Sequence, residues 1–216
     1  MIKGVIFDLD GTLANSIEDI ADSMNIVLTE KGFPTHDYDT YKTFVGNGLK
    51  SLVENSLPNS ANNETTLEAC FKRMMSVYDD NCIVKTCLYP GIAELLTELQ
   101  KRDIKIGVFS NKANELTQKV AKVLLADWPI EMVIGAGGDI PKKPNPKGAI
   151  LISTKMRISP EELIYVGDSG IDMQTAENSG MYAAGVLWGF RDMEELLENG
   201  ANVLVENPMD LLESFN

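Results

Sequence analysis

Positive charge is scarce in this chain. Its 216 residues hold 19 Lys and Arg against 32 Asp and Glu, and 19 − 32 leaves a formal charge of −13. Such a surface repels nucleic acid and anionic membrane, so neither is expected as a partner. Histidine is scarcer still. His36 stands alone in the polar "PTHDYDT" loop, too few ligands for zinc, and reads as a surface residue. Cys70, Cys82 and Cys87 are odd in number and lack metal-ligand spacing, which predicts free thiols in a reducing cytosol. No apolar run approaches the length of a membrane span, and the short run near the start is closed by Asp8 instead of a signal-peptide pattern. Repeats and low-complexity tracts are missing as well. These absences point to a soluble, cytoplasmic protein with one core, or a core and a small second domain.

What is present is a pair of acids where a buried strand should end. In "GVIFDLDGTLANS", Gly4 to Ser16, an apolar run closes on Asp8 and Asp10 with only Leu9 between them. Desolvating an unpaired carboxylate costs several kcal/mol. Asp-Gly is a common hairpin signal, but a hairpin needs a second alternating strand. Here "TLANSIEDIADSMNIVL" follows with helical spacing instead. Two acids at a strand tip with no hairpin call for another partner, and a cation fits.

Ile17, Ile20, Ala21, Met24, Val27 and Leu28 share one helical face, with Ser16 placed to cap it. Gly32 and Pro34 end that helix. A short segment around Tyr41 to Val45 leads to "GNG", and Leu49, Leu52 and Val53 begin another helix that stops near Pro58. Leu67, Cys70, Phe71, Met74, Met75 and Tyr78 mark a long helix whose stripe reads as core. From about Ser16 to Cys87 the pattern is entirely helical.

The pattern changes from about Leu88 onward. Buried strands at Ile104 to Phe109, Met132 to Ile134, Leu163 to Val166 and "MYAAGVLWG" alternate with helices, and a Ser159…Glu162 capping box precedes the third. This alternation predicts an α/β fold: a parallel sheet with helices on both faces. The first strand has no partner among the helices that follow it. It must join the later sheet, which makes the helical block an insertion.

Ligands of open α/β sheets bind at the carboxyl ends of strands. Three predicted strands end in polar residues: Asp8, Asp10, Gly11 and Thr12; then Ser110 and Asn111 in "VFSNK"; then Gly167, Asp168, Ser169 and Asp172 in "YVGDSGID". The loop "DIPKKPNP" adds Lys142 and Lys143. Together these groups fit a hard divalent ion held by oxygen, with a phosphate beside it. Taken singly each has a plainer reading: Ser-Asn as a helix cap, a Pro-flanked Lys as a rigid loop, "GDSG" as a turn. Their order along one chain is what favours the site.

On these residues the whole chain resembles the haloacid dehalogenase superfamily of phosphohydrolases. Asp8, Asp10, Gly11 and Thr12 match its first motif, Ser110 its second, Lys143 its third, and Gly167, Asp168, Ser169 and Asp172 its fourth. The resemblance implies a Rossmann-like core over 1–15 and 88–216 and an inserted helical cap over 16–87. It implies a nucleophile, Asp8, that forms an aspartyl-phosphate, and an acid/base, Asp10. Mg²⁺ would be held by Asp8, the Asp10 carbonyl and Asp168, with Ser169 and Asp172 as supporting residues. Thr12, Ser110, Asn111 and Lys143 would hold the phosphate.

"FVGNGLKSLVENSL" and "GVLWGFRDMEEL" are similar to phosphoglycolate phosphatases, which implies 2-phosphoglycolate as the substrate. Pyrophosphatases, sugar-phosphate phosphatases and β-phosphoglucomutase-type mutases share much of this pattern. A receiver-like phosphate-binding module is the non-enzyme reading. Asn47 and Lys50, with the Gly46 and Gly48 backbone, are candidates to read the substrate carboxylate; alternatively the glycines punctuate helices and Lys50 is solvated. The partner is a small phosphorylated metabolite, and the chain a monomer or homodimer.

Overall fold

The computed structural model describes residues 2–215. Six parallel strands form the main sheet: β1 (Gly4–Phe7), β4 (Lys105–Ala113), β5 (Ile130–Ala136), β6 (Leu163–Gly167), β7 (Tyr182–Val186) and β8 (Val203–Val205). Their order is β5-β4-β1-β6-β7-β8. β1 is central because it can be buried on both faces: Val5 and Phe7 join one apolar cluster and Ile6 the other. Helices α5 (Ile92–Lys101) and α6 (Asn114–Leu124) cover the first face, while α7 (Lys147–Met156), α8 (Gly170–Ser179) and α9 (Met193–Glu198) cover the second. The chain runs outward from β1 through β4 to β5 on one side, then from β6 to β8 on the other. The carboxyl end of β1 is therefore the topological switch point, where such sheets open a ligand crevice.

Before α5, four helices follow β1: α1 (Ile17–Glu30), α2 (Tyr38–Phe44), α3 (Leu49–Ser56) and α4 (Glu64–Asn81). The chain enters and leaves this block through β2 (Ala14–Asn15) and β3 (Cys87–Leu88), which pair antiparallel. Buried Asp19 on α1 ties the exit down. Its carboxylate accepts from the Lys85 and Thr86 amides at 2.9 and 2.8 Å and from the Thr86 hydroxyl at 2.7 Å.

Several local expectations are corrected. Ser16 makes no capping hydrogen bond at the start of α1, because its hydroxyl is turned to Asp10 instead. Ser159 likewise caps nothing; residues 160–162 form a 3-10 turn, and Glu162 pairs with Lys3. His36 is half-buried: Nε2 lies 2.9 Å from the Ser56 carbonyl, and the ring stands edge-on to Tyr41 and Phe44. β4 runs on through Lys112 to Ala113, with its register against β5 broken between Ser110 and Ala113. Cys70, Cys82 and Cys87 are free thiols, the last exposed. No helix among the described residues is long and apolar enough to cross a membrane.

Candidate active site

The acids converge because the ends of β1 and β6 are neighbours. Asp8 continues β1, its amide donating to the Val166 carbonyl at 2.9 Å. Beyond it the chain doubles back, the Leu13 and Ala14 amides returning to the Leu9 carbonyl at 3.0 and 2.8 Å. Gly11 makes this turn possible. Its φ is +87°, and a Cβ there would overlap the Asp168 carboxylate. Asp168, just past β6, is held at both oxygens: Oδ1 accepts from Thr12 Oγ1 at 3.3 Å and Oδ2 from the Phe190 amide at 2.8 Å. Lys143 arrives from the loop before α7, with Nζ 2.8 Å from Asp8 Oδ1 and 2.6 Å from Asp172 Oδ1. Asp172 Oδ2 in turn accepts from the Ser169 amide and hydroxyl at 3.1 and 2.6 Å.

The balance of charge here is uneven. One oxygen each of Asp8, Asp168 and Asp172 lie within 4.8 Å of one another, all three residues buried. Burial, and then the neighbouring carboxylates, push Asp8 up to about 7 and Asp168 up to about 8 despite the opposing pull of Lys143. Burial works against the Lys143 ammonium, but Asp172 and Asp8 outweigh it and raise its pKa well above the usual lysine value. Asp8 Oδ1, close as it is to Lys143, makes no well-directed hydrogen bond. A buried carboxylate oxygen without a hydrogen bond, facing a second carboxylate, is what a hard divalent cation would satisfy. Asp8, Asp168 and Asp172 are the side chains that could hold such an ion, each of them already in contact with a neighbouring group of the protein. The residues present fit the ion.

Asp10 is held separately. Lys112 Nζ lies 2.8 Å from each of its carboxylate oxygens and 2.6 Å from the Tyr78 hydroxyl of α4, and Ser16 Oγ donates to Oδ1 at 2.6 Å. Neither Lys112 nor Tyr78 was singled out for the site from the sequence. The one available signal was the Lys in "VFSNK", immediately after the residues that were singled out.

The cap-side loop is clipped down over these groups by its backbone carbonyls. Asn111 Nδ2 donates to the Gly46 carbonyl at 2.9 Å, and Lys142 Nζ to that of Asn47 at 2.9 Å. Arg191 donates to the carbonyls of Lys42, Thr43 and Val45, the last at 2.7 Å. A cavity of about 40 Å³ remains, with Asp8, Asp10, Ser110 and Asp168 on one side and Gly46, Gly48 and Leu49 on the other.

A family model for haloacid dehalogenase-like hydrolases matches residues 5–186. The chain belongs to this family. A phosphoglycolate phosphatase of Chromobacterium violaceum is 30% identical over 216 residues, covering 98% of this chain and 96% of that protein. One from Aquifex aeolicus is 28% identical over 212 residues, covering 98% and 96%. The crystal structure of a candidate phosphoglycolate phosphatase from Lactobacillus delbrueckii subsp. bulgaricus has a TM-score of 0.92 at 28% identity, covering 98% of this chain and 97% of that one. As a haloacid dehalogenase-like hydrolase with such relatives, the chain is a phosphatase.

The geometry of this haloacid dehalogenase-like hydrolase places four of the expected contact residues against protein groups. Lys50 is exposed, ion-paired with Glu68 of α4, and absent from the cavity around Asp8. Asn47 does not line that cavity either, and meets the core through its carbonyl. Thr12 is fully buried with its hydroxyl on Asp168, so it supports an acid and is not exposed to phosphate. Asn111 lines the cavity but both ends of its amide are occupied, Oδ1 by the Lys143 amide at 2.7 Å and Nδ2 by the Gly46 carbonyl. It is a strut between loops.

Proposed function

We propose that the enzyme hydrolyses small phosphate monoesters through an aspartyl-phosphate on Asp8, with 2-phosphoglycolate as its preferred substrate. The observation that carries this reading is the buried set of Asp8 and Asp168, at the ends of two adjacent strands, with Lys143 from the loop before α7. Mg²⁺, held by Asp8, Asp168 and the Asp10 carbonyl, would offset the negative charge that gathers when a phosphate dianion meets these acids.

Asp8 attacks phosphorus in line, and the bond to the leaving oxygen breaks. Asp10, in its protonated form, gives its proton to that oxygen. A water then attacks phosphorus, Asp10 takes a proton from it, and phosphate departs with Asp8 restored. Lys143 holds the Asp8 carboxylate and a phosphoryl oxygen, and Asp172 and Ser169 hold Lys143 in place. Ser110 offers a hydroxyl to another phosphoryl oxygen.

Residues 16–87 act as the cap on a core of 1–15 and 88–216, turning about the paired β2 and β3 to admit substrate and exclude stray water. With Lys50 paired with Glu68, the substrate carboxylate meets the backbone at Gly46, Gly48 and Leu49, where α3 begins without a side-chain cap. The names of the relatives point the same way. A panel of phosphate monoesters assayed with Mg²⁺ tests the reading. The expected result is the highest kcat/KM on 2-phosphoglycolate, and a tenfold or greater preference for a hexose phosphate would overturn the assignment.

A further inference from the structure

Asp10 could be held in place far more cheaply than it is. An ammonium in a protein interior is costly, and a buried ion pair is often no more stable than apolar residues of similar volume. Yet Lys112 is 5% exposed and pairs with Asp10 alone among the carboxylates of the described residues. Its nitrogen reaches both carboxylate oxygens at 2.8 Å. The bridging ammonium holds the carboxylate in place at both oxygens, and the Ser16 hydroxyl, 2.6 Å from Oδ1, adds an off-axis contact that limits a torsion otherwise broad for aspartate. The ammonium is itself anchored, by the Tyr78 hydroxyl at 2.6 Å and by the Tyr78 ring 4.7 Å from its centroid. Tyr78 lies on α4 of the helical block and is completely buried. Lys112 comes from the end of β4 in the sheet, where the register break turns the chain.

We propose that Lys112 is a positioning residue for proton transfer to the leaving group, setting the Asp10 carboxylate in the orientation that faces the leaving oxygen. Tyr78 extends this control to the helical block, so Asp10 is fully aligned only when α4 is seated against β4. The proposal rests on the reading of Asp10 as the acid. It needs no change in the protonation of Lys112. What matters is direction: a general acid must lie within hydrogen-bond reach of the atom it protonates, and a carboxylate rotated away from that line does not.

The test compares an alkyl phosphate, whose leaving oxygen needs a proton, with p-nitrophenyl phosphate, whose leaving group departs without one. The quantity is kcat/KM with Mg²⁺ present, for the parent enzyme, Lys112→Met, Lys112→Arg, Tyr78→Phe and Asp10→Asn. Lys112→Met is expected to lose about 100-fold on the alkyl phosphate and less than about threefold on the aryl one. Lys112→Arg, which keeps a cation able to donate to both oxygens, should recover part of the alkyl activity. Tyr78→Phe should show the same selectivity at about a tenth of the size. Equal losses on both substrates would reduce Lys112 to a structural role and overturn the proposal, as would no loss on either. Should Lys112→Met fail to fold, Tyr78→Phe decides by the same comparison. If Asp10→Asn itself loses equally on both substrates, the reading of Asp10 as the acid falls and the proposal falls with it. If Asp10→Asn discriminates and Lys112→Met does not, the proposal alone is overturned.

Discussion

Lys143 and Asp172 face each other at 2.6 Å with both side chains shut away from solvent, although 29 residues separate them in the chain. The same ammonium also stands 2.8 Å from Asp8. One cation therefore serves two carboxylates directly, with Asp168 a third in the same buried cluster. The site has a deficit of positive charge, which a cation would relieve and a phosphate dianion would deepen.

That deficit gives stability a pH dependence with a definite sign. Asp8 is raised to about 7 and Asp168 to about 8, chiefly by burial. In the unfolded chain both release their protons near the ordinary aspartate value, so between there and the raised values the folded state binds more protons. Raising the pH through this window destabilises the metal-free protein. In chelator, Tm should be lower at pH 8 than at pH 5.5 by roughly 5 °C, and Asp8→Asn should flatten the difference. Mg²⁺ should raise Tm at pH 8 and do little at pH 5.5, where protons compete for the ligands. Identical pH profiles for parent and Asp8→Asn would rule out the crowded-acid description.

Lys50→Ala should leave KM for 2-phosphoglycolate within about twofold of the parent value, because an exposed ion pair contributes little and its loss is local. Lys50 is turned toward Glu68, away from the cavity. Steady-state kinetics on 2-phosphoglycolate and a neutral phosphate ester decide the point. A tenfold rise in KM confined to the carboxylated substrate would return Lys50 to the site.

Arg191 binds three carbonyls of the segment 42–45, and Asn111 and Lys142 bind the next two. Removing the guanidinium should loosen this loop before it affects the sheet. In Arg191→Ala, amide exchange over residues 42–48 should quicken by about tenfold while β1 and β6 stay protected. KM should rise with it. Unchanged exchange in the loop would mean that Arg191 does not restrain it.

The acids at the ends of β1 and β6 could be read from the sequence because burial and charge conflict there without any three-dimensional knowledge. The parallel sheet followed from alternation, and the central place of β1 from its lack of a nearby partner. Other residues were hidden for reasons specific to each. Lys50 sits beside the glycines that line the cavity, but α3 starts at Leu49 and its first turn carries the Lys50 side chain round toward α4. Tyr78 fell within an apolar helical stripe, where periodicity cannot tell a core tyrosine from one whose hydroxyl binds an ammonium. Ser16 fits the capping preference so well that a rival partner, Asp10, could not be guessed. Lys112 depends on an irregularity in β4, and a single-residue shift in a strand sends a side chain to the opposite face.

The central claim is that Asp8 carries the phosphoryl group between substrate and water. It is tested most directly by mixing enzyme with a stoichiometric amount of 2-phosphoglycolate and Mg²⁺, quenching in acid within milliseconds, and mapping the added phosphoryl mass by peptide. The account predicts a transient phosphoryl group on Asp8, formed before free phosphate appears and absent from Asp8→Asn. Phosphate released at full rate with no label on Asp8, or with the label on another residue, would contradict it.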